Sequence, residues 1–223
     1  MNNHTDKQEF LLNQIFSQAT DESSQRRDFS GCNLSGIDLS GINLSGINLI
    51  GADLRGANLS DSILTGANLS NANLMYVNLQ SAYLYEACLC EANLTGANLS
   101  RANLCGAFLW KAKLNQAILW ATSLCGADLR KADFRDAKLI EASLIEANLI
   151  KANLSGASLC CANLVEANLN QANLTGADLT WANLIQANLY EANLWQARLD
   201  NAKLTDTIMP DGTIHLPQAV FLD

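Results

Sequence analysis

From Leu34 to Leu204 an apolar residue recurs at every fifth position without a slip of register. All thirty-five of these positions are Leu except Phe134, and Phe29 and Met209 extend the series at its two ends. Five is not a helical period, because each step turns about 500° and no apolar stripe forms. It is not a strand period either, since successive Leu would fall on opposite faces. All these Leu point one way only if the chain turns a corner in every repeat. The pattern therefore predicts a solenoid with short straight sides and an axis filled by Leu.

The rest of the repeat completes the assignment. Two residues before each Leu the chain is nearly always Ala, from Ala52 to Ala202, with exceptions such as Cys32, Ile37, Ile42, Ile47, Ser62, Val77 and Thr122. Positions two apart on an extended segment share a face, so the Ala also points inward, where its size suits a crowded axis. Asn or Asp between them, as at Asn58, Asn93, Asn148 and Asn188, then faces outward. The two residues after Leu form the corner. After Gly51 the corner glycines are 56, 66, 96, 106, 126, 156 and 176, all ending in 6. This bias predicts two alternating turn geometries and an even number of sides, which four sides of five residues satisfy.

Runs such as Ala52-Asp53-Leu54-Arg55-Gly56 and Ala97-Asn98-Leu99-Ser100-Arg101 resemble the pentapeptide-repeat family, with its consensus A-(D/N)-L-x-x. The resemblance covers about residues 28 to 209. It implies an all-β solenoid, a right-handed quadrilateral β-helix of about nine coils. With strands ~4.8 Å apart the rod is roughly 40 Å long. The Ile-Met-Pro-Asp-Gly-Thr stretch near the C-terminus also resembles the ending of cyanobacterial members.

A solenoid leaves open edges that invite association unless capped. Residues 6 to 19 read as a capping helix, with Thr5 and Gln8 as a capping box and Leu11/Ile15 and Leu12/Phe16 as i, i+4 pairs. At the other end Met209-Pro210-Asp211-Gly212 reads as a tight turn and Thr213 to Leu216 as a last short strand. Ala219 to Leu222 is apolar enough to cover the final coil. The expected organisation is a cap and connection over 1–27, the β-helix over 28–209 and a turn and cap over 210–223.

Composition narrows the function. No run approaches 18 apolar residues, and the polar start Met1 to Gln8 does not resemble a secretory signal, so a cytoplasmic protein is expected. The seven cysteines are an odd number, which suits a reducing compartment. Six of them, Cys88, Cys90, Cys105, Cys125, Cys160 and Cys161, take outward positions. Cys105 and Cys125 are twenty apart, so on a four-sided coil they stack on adjacent rungs, near enough for a disulfide or a thiol ladder. The Cys88-Leu89-Cys90 spacing is not that of a zinc knuckle, and both histidines, His4 and His215, lie outside the array. No catalytic, cofactor or metal site is expected. Ser–His–Asp and Cys–His pairs are excluded by the histidine positions, and a convex rod offers no cleft for carboxylates such as Glu141 and Glu146.

What remains is surface. Counting modulo twenty, one outward column is Tyr85, Cys105, Cys125, Ile145, Val165, Ile185. The adjacent side carries Cys88, Cys90, Phe108 and Trp110, with Tyr83 round the corner. Together these make a candidate protein-binding patch; the competing reading is a ladder of cross-strand neighbours that only stabilises the sheet. Ile118 and Trp120 fall on the opposite side. Lys111, Lys131 and Lys151 share one corner column. Residues 101 to 151 carry eight Lys or Arg against five acids, a basic waist of +3 in a chain of −8.

Some pentapeptide-repeat proteins resemble B-form DNA in size and charge and bind DNA gyrase, which makes a gyrase-binding DNA mimic the alternative. The net charge favours it and the basic waist opposes it. The expected function is a non-enzymatic interaction scaffold with a protein partner and no direct nucleic-acid or membrane binding.

Overall fold

The computed structural model describes Ile15 and residues 28–216. Parallel bridges join residues twenty apart without interruption, from Asp28↔Asn48 to Asn188↔Ile208. Twenty residues per coil means four pentapeptides per coil, so the rod has four sides. The first side is centred on Leu34, Leu54 and their successors, the second on Leu39, the third on Leu44 and the fourth on Leu49.

The inward assignment holds at almost every rung. The series Leu and Ala are buried from Phe29 to Ala192 and form one continuous apolar cluster. The polar exceptions at the Ala position are buried too, and each hydroxyl is satisfied by a carbonyl. Ser62 Oγ donates to Leu59 O at 2.7 Å and Thr122 Oγ1 to Leu99 O at 2.7 Å. Burial weakens at the C-terminal end, where Leu194, Leu199 and Leu204 are only partly covered. The stretch Ala219 to Leu222 lies outside the described residues, as does the expected cap helix except Ile15, which is buried against the core.

The consensus follows from where the five amide N–H groups of a repeat go. In the repeat Ala97 to Arg101, Ala97 donates to Leu94 O at 3.0 Å across the corner. Asn98 donates to Val77 O of the preceding coil at 2.9 Å, Leu99 to Ile118 O of the next at 2.7 Å, and Arg101 to Trp120 O at 2.9 Å. The fifth, on Ser100, has no backbone partner and donates to Asn98 Oδ1 at 3.1 Å. An Asx side chain before Leu is therefore the acceptor that completes each repeat. Its amide also reaches along the rod, Asn78 Nδ2 donating to Asn58 Oδ1 at 3.0 Å.

The corners do not alternate. Every second corner residue from Gly31 to Asp206 has φ between 51° and 68°, whichever side it follows. The i→i+3 bond across each corner with positive φ only at its third residue is the type II arrangement. The expectation of two turn geometries is wrong; the four sides come from stacking, not from alternation. Two of the glycines have a local cause. A Cβ at Gly96 would lie 2.6 Å from the Tyr76 ring, and at Gly156 2.5 Å from Asp136 Oδ1. Nothing in the structure explains the bias at the other corners ending in 6. The left-handed conformation leaves a mark in the sequence. Val, Ile and Thr are absent from all second corner positions, yet frequent at the first, as at Ile140, Ile145, Ile150 and Val165.

After the last rung the chain forms a hairpin of β1 (Thr207–Ile208) and β2 (Ile214–His215). The expected turn is present, with Gly212 N–H donating to Met209 O at 2.9 Å.

Candidate interaction surface

The residues expected to form a patch lie on the third and fourth sides. Tyr83 and Tyr85 on the third side are exposed, at 53% and 45%, and Phe108 on the fourth at 48%. Trp110 is half-buried, because Lys111 lies over its ring with Nζ 4.1 Å from the centroid. Lys111 also pairs with Glu91 at 3.5 Å one coil below. The Glu86 carboxylate at the intervening corner hydrogen-bonds the Tyr85 hydroxyl and raises its pKa. The three exposed rings therefore sit on two adjacent sides across one edge of the rod.

The rest of the outward column behaves as a ladder. Cys105, Cys125, Ile145, Val165 and Ile185 are half-buried against the rungs above and below. Cys105 and Cys125 are free and are not cross-linked. Ser123 stands between them, its hydroxyl 3.0 Å from Cys105 Sγ and 3.6 Å from Cys125 Sγ, and Cys125 Sγ is 3.1 Å from Ser143 Oγ. Burial opposes ionisation of Cys125, but hydrogen bonds from Ser143 and Ser123 bring its pKa below the usual thiol value.

The basic waist is partly neutralised in place. Arg130 and Arg135 each grip the Asp two residues earlier, Asp128 and Asp133, at 2.6 and 2.7 Å. Each Asp also accepts the backbone N–H of its Arg in the usual Asx manner. The exposed cations of the Lys column, Lys131 and Lys151, continue the edge that begins at Trp110 and Lys111.

Trp120 and Ile118 are exposed on the second side, as expected, with Arg101 over the Trp120 ring at 4.7 Å. Further exposed apolar side chains near the C-terminal end, on different sides of the rod, fall outside the expected patches. Trp181, Tyr190, Trp195, Ile214 and Leu216 are all exposed, Trp195 at 67%. The same count from Leu would have placed Trp181 on a corner and Trp195 and Tyr190 outward. Among the described residues no group of three or more His, Cys, Asp or Glu is placed to hold a metal. No helix of the described residues is long and apolar enough to cross a membrane.

The family model for pentapeptide repeats matches in eight copies spread over residues 28–210. The chain belongs to the pentapeptide repeat family. The fold of this pentapeptide repeat protein is thus the right-handed quadrilateral β-helix of the family. It is 38% identical to HetL from Nostoc sp. strain PCC 7120, a protein involved in heterocyst differentiation regulation. That match covers 92% of this chain and 98% of HetL, with a TM-score of 0.33. A trypsin-treated variant of QnrB1, a plasmid-mediated fluoroquinolone resistance protein, is 21% identical. It matches over 79% of this chain and 91% of its own, with a TM-score of 0.52, and shares the fold. Rfr23 of Cyanothece 51142 is 23% identical over 89% of this chain and 99% of its own, with a TM-score of 0.17. No curated protein matches the sequence.

Proposed function

We propose that this pentapeptide repeat protein is a non-enzymatic binding protein that captures a protein partner along the edge between the third and fourth sides. The observation that carries the reading is the placement of Tyr83, Tyr85 and Phe108, three exposed rings converging on one edge of a rigid rod. Exposed aromatics on a rigid scaffold are the residues that dominate binding energy, since they lose little side-chain entropy on contact. Trp110, with Lys111 over its ring, continues the patch toward the Lys131 and Lys151 column. A partner that places acidic residues beside an apolar centre suits both halves. The rings, Cys88 and Cys90 and the three Lys make up one surface in this reading. The 38% identical relative, HetL, is involved in regulation, which agrees with a binding role. We place the protein in the cytoplasm and assign it no cofactor.

DNA mimicry of the gyrase-binding kind is the second reading. The overall −8 supports it, but a mimic needs acidic character along its length, and the middle of this rod is basic. The QnrB1 match lies below the identity at which activity transfers and speaks for the fold alone.

The test compares parent protein with Phe108→Ser/Trp110→Ser as bait in extract from the native organism, read by mass spectrometry. The double variant is expected to keep its melting temperature within a few degrees and to lose the partner. Equal capture by both proteins refutes the patch. A supercoiling assay with DNA gyrase, titrated with the parent, decides the second reading: no change in activity at any concentration rejects it.

A further inference from the structure

Cys88, Cys90 and Phe108 are three departures from the consensus that belong together. Cys88 stands where Asn or Asp normally accepts the N–H of the residue two on. Its sulfur lies 3.0 Å from the Ser70 hydroxyl, which itself donates to Asn68 Oδ1 at 2.7 Å, and the Cys90 backbone N–H favours the Cys88 thiolate. One coil above, Phe108 stands at the same place and has no acceptor. The Cys90 thiol directly below donates to the Phe108 carbonyl at 3.8 Å. The two sulfurs lie on the same outward face of one rung, 3.6 Å apart, with both side chains half-buried and open to solvent.

We propose that Cys88 and Cys90 form a redox-active dithiol that a low-molecular-weight disulfide converts to an intrachain disulfide. Both side chains leave an extended rung on the same face, which puts their Cα atoms about 6.6 Å apart, inside the range a disulfide spans. The other thiols do not meet this condition. Cys160 and Cys161 have sulfurs 3.7 Å apart, but adjacent Cα atoms are only ~3.8 Å apart, too close for relaxed closure. Cys105 and Cys125 are separated by the Ser123 hydroxyl.

The order of attack follows from the surroundings. Burial disfavours the Cys88 thiolate, but the Ser70 hydroxyl, the Cys90 N–H and the Cys90 thiol outweigh it and lower the pKa. Burial and then the neighbouring Cys88 push Cys90 up to about 11. Cys88, having given its proton to solvent, attacks one sulfur of the small disulfide. That S–S bond breaks, a mixed disulfide forms on Cys88, and the first small thiolate leaves and takes up a proton. With no thiolate left beside it, Cys90 then ionises more readily and attacks the Cys88 sulfur. The mixed disulfide breaks, the second small thiolate leaves with the Cys90 proton, and two electrons have passed from the pair to the oxidant. This reading stands on the sulfur geometry and holds whether or not the aromatic edge binds a partner.

The experiment incubates the full chain with oxidised glutathione and follows thiol titration and peptide mass spectrometry. The parent is expected to lose two thiols reversibly, mapped as a bond between Cys88 and Cys90. Cys90→Ser should stop with one glutathione on Cys88. Cys88→Asn should leave Cys90 reacting more slowly than Cys88 does in Cys90→Ser, since burial, the largest cause of the raised Cys90 pKa, persists without Cys88. Asn and Ser are the usual residues at these two positions of the repeat, so both variants keep the rung, as unchanged melting temperatures would verify. Overturning results are a parent in which both thiols stay free while Cys161 reacts, or glutathione on both Cys88 and Cys90 with no bond between them.

Discussion

A corner substitution tests the physical basis of the whole rod. Glu141 is the second residue of an exposed corner with φ +58°, and its backbone N–H donates to Cys160 O at 3.0 Å. Among the described residues no side-chain hydrogen bond or ion pair engages its carboxylate, so changes there act through the backbone. A non-glycine residue in the left-handed region is about 1–2 kcal/mol less stable than in the right-handed one. Glycine removes that strain and gives back about 0.5–1 kcal/mol in chain entropy. Glu141→Gly should therefore stabilise by up to about 1 kcal/mol. Glu141→Ile puts a β-branched side chain where none of the thirty-six corners has one, and should destabilise by about 1–3 kcal/mol. In a chain of this length each kcal/mol moves the melting temperature by about 2–4 °C. Thermal unfolding followed by circular dichroism should order the proteins Gly, then Glu, then Ile, with the Ile variant lower by several degrees. An Ile variant as stable as the parent would refute the claim that left-handed geometry excludes β-branched residues from these corners.

Two further outcomes follow from the interior and from the carboxylates. Leu114→Asp buries an unpaired carboxylate in mid-rod, where Leu114 is fully enclosed, and should destabilise by several kcal/mol, whereas Ser100→Asp on the outer surface should stay within about 1 kcal/mol; equal losses in denaturant unfolding would contradict the inward and outward assignment. Hydrogen bonds from Arg55 and Arg130 hold Asp53 and Asp128 below the usual carboxylate range, and at Asp178 Thr180 does the same. Because the folded-state pKa is depressed, this stability is present above about pH 4 and is lost as pH falls through the folded values. These pairs are largely exposed, so each contributes under about 1 kcal/mol. Melting temperature should be flat from about pH 8 to 5 and decline below pH 4; a rise on acidification would contradict the assignment.

The five-residue period alone was enough to place each side chain inward, outward or at a corner. It works because the constraint is local: a corner must follow every Leu, and only two small steps separate the inward positions. The same count located Tyr83, Phe108 and Trp120 on the surface. It failed wherever the cause lies twenty residues away. The corner glycines suggested two turn types, yet Gly96 and Gly156 answer to Tyr76 and Asp136 on the neighbouring coil, and all corners share one geometry. By that count Trp110 is as free as Phe108, but Lys111 lies over its ring. In the sequence Phe108 and Cys90 are unrelated departures, because only stacking sets the Cys90 thiol against the Phe108 carbonyl at 3.8 Å. Sequence alone determined the repeat and its inside. Contacts between coils, which join residues distant in the chain, decided which outward residues are exposed and which are paired.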